Sequence, residues 1–347
     1  MNALSAQWHR FIADWHVLLE KPVPAKKLSF MLHQTSLPSF GFYFMLTLAT
    51  MIATLGLLSN SAATIIGAMI VAPLMGPITS LAYGIVTADY KLWSRSMLTT
   101  FTGMLAVIAI SAVTAHAIGV RVLGGEILAR TNPTLLDLGV AIAAGGAGGF
   151  ALTRKSIGNA LAGVAIAVAL VPPLCVTGIG LGLGSDIAVG VGLSPSDVDI
   201  RIGAFLLFAT NLVGIVVSAG MVFLLQAYGN FRRAIGGLAA SVLALALVSY
   251  PLGFSFNRLL IRNRVYHSLM DVQRQQPDLF DEVSSFSWNV RFSNDTIFVE
   301  MDLMAPSEAF DRLQLELIQN EIANSLEAPV QCKFRLIPIT VVDFGEA

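Results

Sequence analysis

Seven apolar stretches, each long enough to cross a bilayer at about 20 residues, dominate the chain. They lie at 40–58, 61–87, 97–118, 136–153, 157–184, 202–226 and 235–256. Lipid offers no partners to backbone N–H and C=O groups, so such stretches are expected as helices. Composition agrees: 55% of the 347 residues are hydrophobic and 12% are charged. Mean hydropathy is +0.72, whereas soluble domains carry about a quarter charged residues. The reading is a polytopic α-helical membrane protein whose first partner is the lipid bilayer.

Net charge is −1 and no long basic run occurs, so nucleic acid is not an expected partner. Cys175 and Cys332 form neither a disulfide framework nor a zinc pattern. Residues 1–39 read as an amphipathic interfacial helix and a linker. Trp8, Phe11, Ile12, Trp15, Leu18 and Leu19 fall at helical spacing, and "EKPVPAKK" then breaks the helix. No secretory signal is expected there.

The transmembrane region, 40–256, gives way to a soluble domain at 257–347. Phe286, Trp288, Val290 and Phe292 alternate with polar residues, as do Ile297, Val299, Met301 and Leu303 after a short turn. That pattern predicts a hairpin with one apolar face. A helix through Phe310, Leu313, Leu317, Ile318 and Ile322 follows, then a strand through Val330, Cys332, Phe334 and Leu336. With a helix near 258–275, the order αββαβ predicts an antiparallel sheet covered by helices on one face. Such a sheet leaves edges free, so a homo-oligomer is expected.

Seven spans place Lys21, Lys26, Lys27, Lys91, Arg95, Arg154, Lys155, Arg232 and Arg233 on the N-terminal side. Arg121, Arg130, Arg201, Arg258, Arg262 and Arg264 fall on the other. The positive-inside rule then favours a cytoplasmic N-terminus.

Two spans contain helix breakers. Pro73 and Pro77 interrupt the second span, beside Gly67 and Gly76; Pro172 and Pro173 interrupt the fifth, followed by Cys175, Thr177, Gly178 and Gly180. Proline removes a helical hydrogen bond, and in lipid the freed carbonyls need protein or a wet cavity. Local unwinding is expected at both places. Asn60 precedes Pro73 by the same interval as Asn159 precedes Pro172. A repeat with that offset holds three spans, and an odd number inverts the second copy. A 3+3 inverted repeat with proline-broken helices meeting at mid-membrane is a common transporter architecture. Structural kinks that permit close packing are the other reading of the same residues.

Tyr43, Thr47, Thr50 and Thr54 form one polar stripe on the first span, read as cavity lining or as threonines bonded back to their own helix. Asn211 sits midway along the sixth span, where its amide either glues helices or binds something. No Asp, Glu, Lys or Arg lies well inside a span. That argues against carboxylate-based coupling and suits an anion, a neutral solute or a weakly held cation. Gly145 and Gly149 fit a small-xxx-small helix contact rather than a phosphate loop. His9 and His16 share a helix face without a third ligand, so no metal, cofactor or enzymatic activity is expected.

The segments "TIIGAMIVAPLMGPI" and "GVAIAVALVPPLCVTGIGL" resemble the domain of unknown function 389 family of hydrophobic membrane proteins, over roughly residues 40–256. The resemblance implies a polytopic protein of a prokaryotic-type plasma membrane and implies no activity. The C-terminal element order is similar to the regulatory domain behind cation diffusion facilitators, by topology alone; His267 is that region's one histidine. The functional expectation is a permease for a small solute or ion. The alternatives are a passive channel and a membrane-anchored sensor or scaffold.

Overall fold

The structure is a computed structural model that describes residues 22–119, 122–131, 133–154, 159–184, 188–189, 200–229, 231–275, 285–293, 296–305, 315–316, 318–320, 322–323 and 330–338. The amphipathic segment expected at 5–20 lies outside these residues. The chain divides into two compact units, Met1–Ser255 and Phe256–Ala347.

The first unit contains α1 (Ala25–Thr35), α2 (Phe40–Leu58), α3 (Ala62–Val71), α4 (Met75–Thr87) and α5 (Tyr90–Ile118). After a two-residue strand β1 (Val122–Leu123) come α6 (Gly125–Leu128), α7 (Leu135–Leu152) and α8 (Asn159–Leu183). Strand β2 (Ala188–Val189), parallel to β1, precedes α9 (Ile200–Leu225), and α10 (Phe231–Gln275) begins in this unit. Polar side chains start the helices. Ser39 caps α2 at Phe42 N–H, and the Asp89 carboxylate caps α5 at Leu92 N–H (3.0 Å).

Helix α2 shows why this unit belongs in lipid. Its inner face buries Phe42, Leu46, Ala49, Ala53 and Leu57, while Phe44, Leu48, Met51, Ile52 and Leu55 on the outside are exposed. A helix apolar on every side is stable only where its outer face meets hydrocarbon. Four helices, α2, α5, α7 and α9, are long and apolar enough to cross a membrane, and α3 with α4 makes a fifth if the pair is one span. Seven crossings were expected. The remaining two segments appear among the described residues as shorter apolar helices, Ala169–Leu183 and Ala234–Tyr250.

The loops gather at two ends. Val23 N–H donates to Thr153 O, Tyr228 Oη to Val23 O (2.6 Å), and Arg154 to Gln226 Oε1 (2.8 Å). At the opposite end Asn60 Oδ1 accepts from Glu126 N–H (2.9 Å), and His116 lies against Gly182 O. Successive long helices therefore run in alternating directions between these ends. They approach closely where glycines meet: Gly145 and Gly149 of α7 press on Ile215 and Ala219 of α9. Gly178 and Gly182 of α8 likewise press on Ile108 and Ala112 of α5. Van der Waals packing of this kind holds helices together where burial from water does not operate.

Helix α1 falls in the stretch expected to be linker. Leu28 and Leu32 seat it in the core, and its last carbonyls find hydroxyls on neighbouring helices. Ser80 Oγ donates to Leu32 O (2.9 Å) and Thr99 Oγ1 to Ser36 O (2.8 Å). His33 Nε2 adds a contact to Asp89 at 3.2 Å. These bonds satisfy carbonyls that a helix end otherwise leaves without partners.

In the second unit β3 (Ser285–Ser293), β4 (Thr296–Ala305) and β5 (Val330–Pro338) form one sheet in that order. The register pairs Val290 with Val299 and Trp288 with Met301, so the two alternating apolar sets coincide. Val290, Ile297, Val299, Met301 and Leu303 pack with Val265, Leu269, Ile318 and Ile322. The sheet is mixed, not antiparallel: β5 runs parallel to β4. The connection between them contains helical residues at 318–320, and a crossover of a dozen or more residues joins parallel neighbours.

Candidate functional site

Around Pro73 the backbone leaves the helix. Ala72 is extended (ψ 125°), as the residue before a proline prefers, and α3 and α4 are bent by 57° across the break. Pro77 lies in the first turn of α4, where a missing N–H costs nothing. Beside the break lies a cavity of about 330 Å³ lined by Thr35, Leu37, Ser39, Phe42, Pro73, Met75 and Gly76. Gly76 is needed there, because a Cβ would sit 2.9 Å from that of Thr35. Among the described residues, none of α8 lines this cavity.

At the second proline pair the expected unwinding is absent: α8 continues through Pro172 and Pro173. The reason lies on another helix. Pro173 has no N–H to give the carbonyl of Ala169, four residues back, and Asn211 Nδ2 of α9 donates to that oxygen instead (2.8 Å). A side-chain amide thus replaces the missing backbone donor, and the helix keeps its path. Asn211 is 4% exposed, and its Oδ1 has no hydrogen-bond partner.

The threonine stripe resolves into local bonds. Thr47 donates to Tyr43 O (2.8 Å), Thr50 to Leu46 O (2.7 Å) and Thr54 to Thr50 O (2.8 Å). Thr54 also meets Ser111 Oγ at 2.8 Å, and Cys175 hydrogen-bonds with both. Thr177 bonds back to Pro173 O at 3.0 Å, and Gly178 backs onto Ser111. These groups form a buried hydroxyl and thiol junction between α2, α5 and α8.

Other residues singled out in the sequence lie elsewhere. Gly67 faces open space. Asn60, with φ 53°, organises the turn after α2. Asn159 opens α8, and its side chain is outside the described residues. Sequence reasoning passed over Ser96, Thr99, Thr100 and Ser111, all buried on α5. Their helical spacing was the available signal. Ser96 and Thr100 hydroxyls have no partner. Among the described residues no group of three or more His, Cys, Asp or Glu is placed to hold a metal.

The thiols give a first test. Cys175 is fully buried, and burial pushes Cys332 up to about 11. At pH 8 native protein should label at Cys332 about 100-fold more slowly than an ordinary thiol of pKa near 8.5, and its rate should climb with pH. Cys175 should label only after denaturation. Intact mass after maleimide quenching reads both; fast native labelling of Cys175 would contradict the packed junction.

Two comparisons bear on this region. Over 185 residues the chain is 34% identical to the uncharacterized protein MJ0678 of Methanocaldococcus jannaschii, covering 53% of each chain. The matched stretch therefore spans about half the length of that relative. The profile of the domain of unknown function DUF389 matches residues 69–217, a narrower stretch than the resemblance first indicated. It contains the Pro73 break, the whole diproline segment and Asn211. Residues 69–217 are thus similar to the domain of unknown function DUF389.

Proposed function

We propose that the chain is a transporter-like permease for a small solute or ion in a prokaryotic-type plasma membrane, with its N-terminus in the cytoplasm. The observation that carries this reading is the 57° bend at Pro73 with a cavity beside it, inside an apolar helix pair. Irregular backbone survives at membrane depth only where protein or a water-filled cavity serves its polar groups.

The proposal includes seven crossings arranged as a 3+3 inverted repeat. Helices α2, α3–α4 and α5 form one triplet, and α7, α8 and α9 form the other, running in the opposite sense. The alternating ends support it, as does the matching interval from asparagine to proline in the two middle spans. The chain works without a cofactor and is not an enzyme. The free edges of the C-terminal sheet hold copies together as a homo-oligomer.

Proteoliposomes loaded with sodium, potassium, chloride or glycerol test the reading. Flux of one of them should saturate, and Pro73→Ala, which straightens the break, should lower it at least tenfold while the protein stays folded. Unsaturable flux would mean a channel. Absence of flux for every probe, with water-soluble reagents failing to reach a Met75→Cys variant, would favour a scaffold acting through the C-terminal unit.

A further inference from the structure

Helix α1 slopes inward from one end of the bundle. Its start is tied to the loops there, where Val23 bonds with Thr153 and Tyr228. Gly229 backs onto Val86, so the turn between α4 and α5 lies at the same end. The last turn of α1 is held deeper, by Ser80 of α4 and Thr99 of α5. Thr99 stands about 13 Å along α5 from Tyr90.

The side chains of α1 change in the same sense. Lys26 and Lys27 of its first turn are exposed. Phe30, one turn on, is 63% exposed, and Leu37 beyond the helix is exposed too. Outward apolar groups lying deeper than a pair of lysines match the passage from headgroups to acyl chains at a membrane interface.

Charge at this end is one-sided. The first two turns of α5 add exposed Lys91 and half-buried Arg95, and Tyr90, 77% exposed, stacks on Trp93. Among the described residues, no ion pair engages Lys26, Lys27, Lys91 or Arg95. The carboxylate between α1 and α5, Asp89, is already taken by His33 and by Leu92 N–H. At the opposite end Arg130 is paired with Glu126 at 2.8 Å.

We propose that this end of the bundle binds anionic lipid headgroups, with the first turns of α1 and α5 supplying the cations and Phe30 and Leu37 seated in the acyl layer beneath. A lipid of net negative charge meets both needs at once. A zwitterionic lipid brings no net charge, and a free phosphate brings no chains. Such binding stands apart from transport, so flux results do not bear on it.

The experiment titrates the purified full chain in neutral detergent with phosphatidylglycerol, phosphatidylcholine or inorganic phosphate and follows the thermal midpoint. Phosphatidylglycerol should raise the midpoint by a few degrees and saturate, while the other two leave it unmoved. A lysine or arginine near an anionic surface is worth about fivefold in affinity. Lys26→Gln with Lys27→Gln should therefore shift the phosphatidylglycerol titration at least tenfold to higher concentration. Lys91→Gln with Arg95→Gln should do the same, and this second pair keeps the test open if the first variant fails to fold. An equal rise with phosphatidylcholine would overturn the anionic headgroup, and an equal rise with inorganic phosphate would overturn a lipid as its source. No rise with any of the three, or an undiminished response in both paired variants, would overturn the site.

Discussion

Replacing Gly145 by valine should abolish the folded protein, while the same change at Gly146 should be nearly silent. At Gly145 a Cβ would lie 2.6 Å from the Cα and carbonyl oxygen of Ile215, which are backbone atoms of α9 and cannot turn away. At Gly146, one residue on, nothing lies within 4 Å. Overpacking usually costs about 1–3 kcal/mol, and more where backbone must move. In lipid, close van der Waals contact is most of what holds α7 to α9. Gly149→Val should fall between, since its Cβ would meet Ala219 Cα at 3.1 Å. Monodisperse yield in detergent and thermal midpoint measure the series. A Gly145→Val protein as stable as its parent would show that α7 and α9 do not pack this way.

The second large effect is a coupling. Asn211→Leu should destabilise the protein by about 1–3 kcal/mol, because the Ala169 carbonyl is left buried with no donor. The same change made in Pro173→Ala protein should cost at least about 1 kcal/mol less. Alanine at 173 supplies the backbone N–H that proline lacks, so the amide becomes redundant. Residues in contact commonly show interaction energies of about 0.5–3 kcal/mol in such cycles. Denaturation of the four proteins under one set of conditions gives the coupling. Strict additivity would mean that Asn211 does not stand in for the missing donor.

The pair also shows where reading the sequence succeeds and where it stops. Local chemistry was legible. The apolar runs became helices, the two alternating apolar sets of the hairpin met in register, and Gly145 and Gly149 serve a helix contact. The threonine stripe bonds back to its own helix in the way short hydroxyl side chains do. The diproline was misread because its remedy comes from a residue 42 positions beyond the carbonyl that it serves. Nothing around Pro173 announces that an amide on another helix will supply the hydrogen bond that it cannot make. At Pro73 the same residue type coincides with a 57° bend. Proline alone therefore does not decide between bending and continuing.

Two other features share that cause. Helix α1 has little hydropathy to mark it, and its place depends on hydroxyls of Ser80 and Thr99 far along the chain. The strand β5 alternates as it would in either direction, so its parallel pairing with β4 is invisible in its residues. By itself, the sequence determined that this is a chain of apolar helices followed by an α+β unit, because periodicity and hydropathy act within a few residues. The tertiary structure alone decided which proline yields, which carbonyls are served and where a donor is lacking. Those outcomes depend on which helix stands opposite, and a hydrogen bond reaches only about 3 Å.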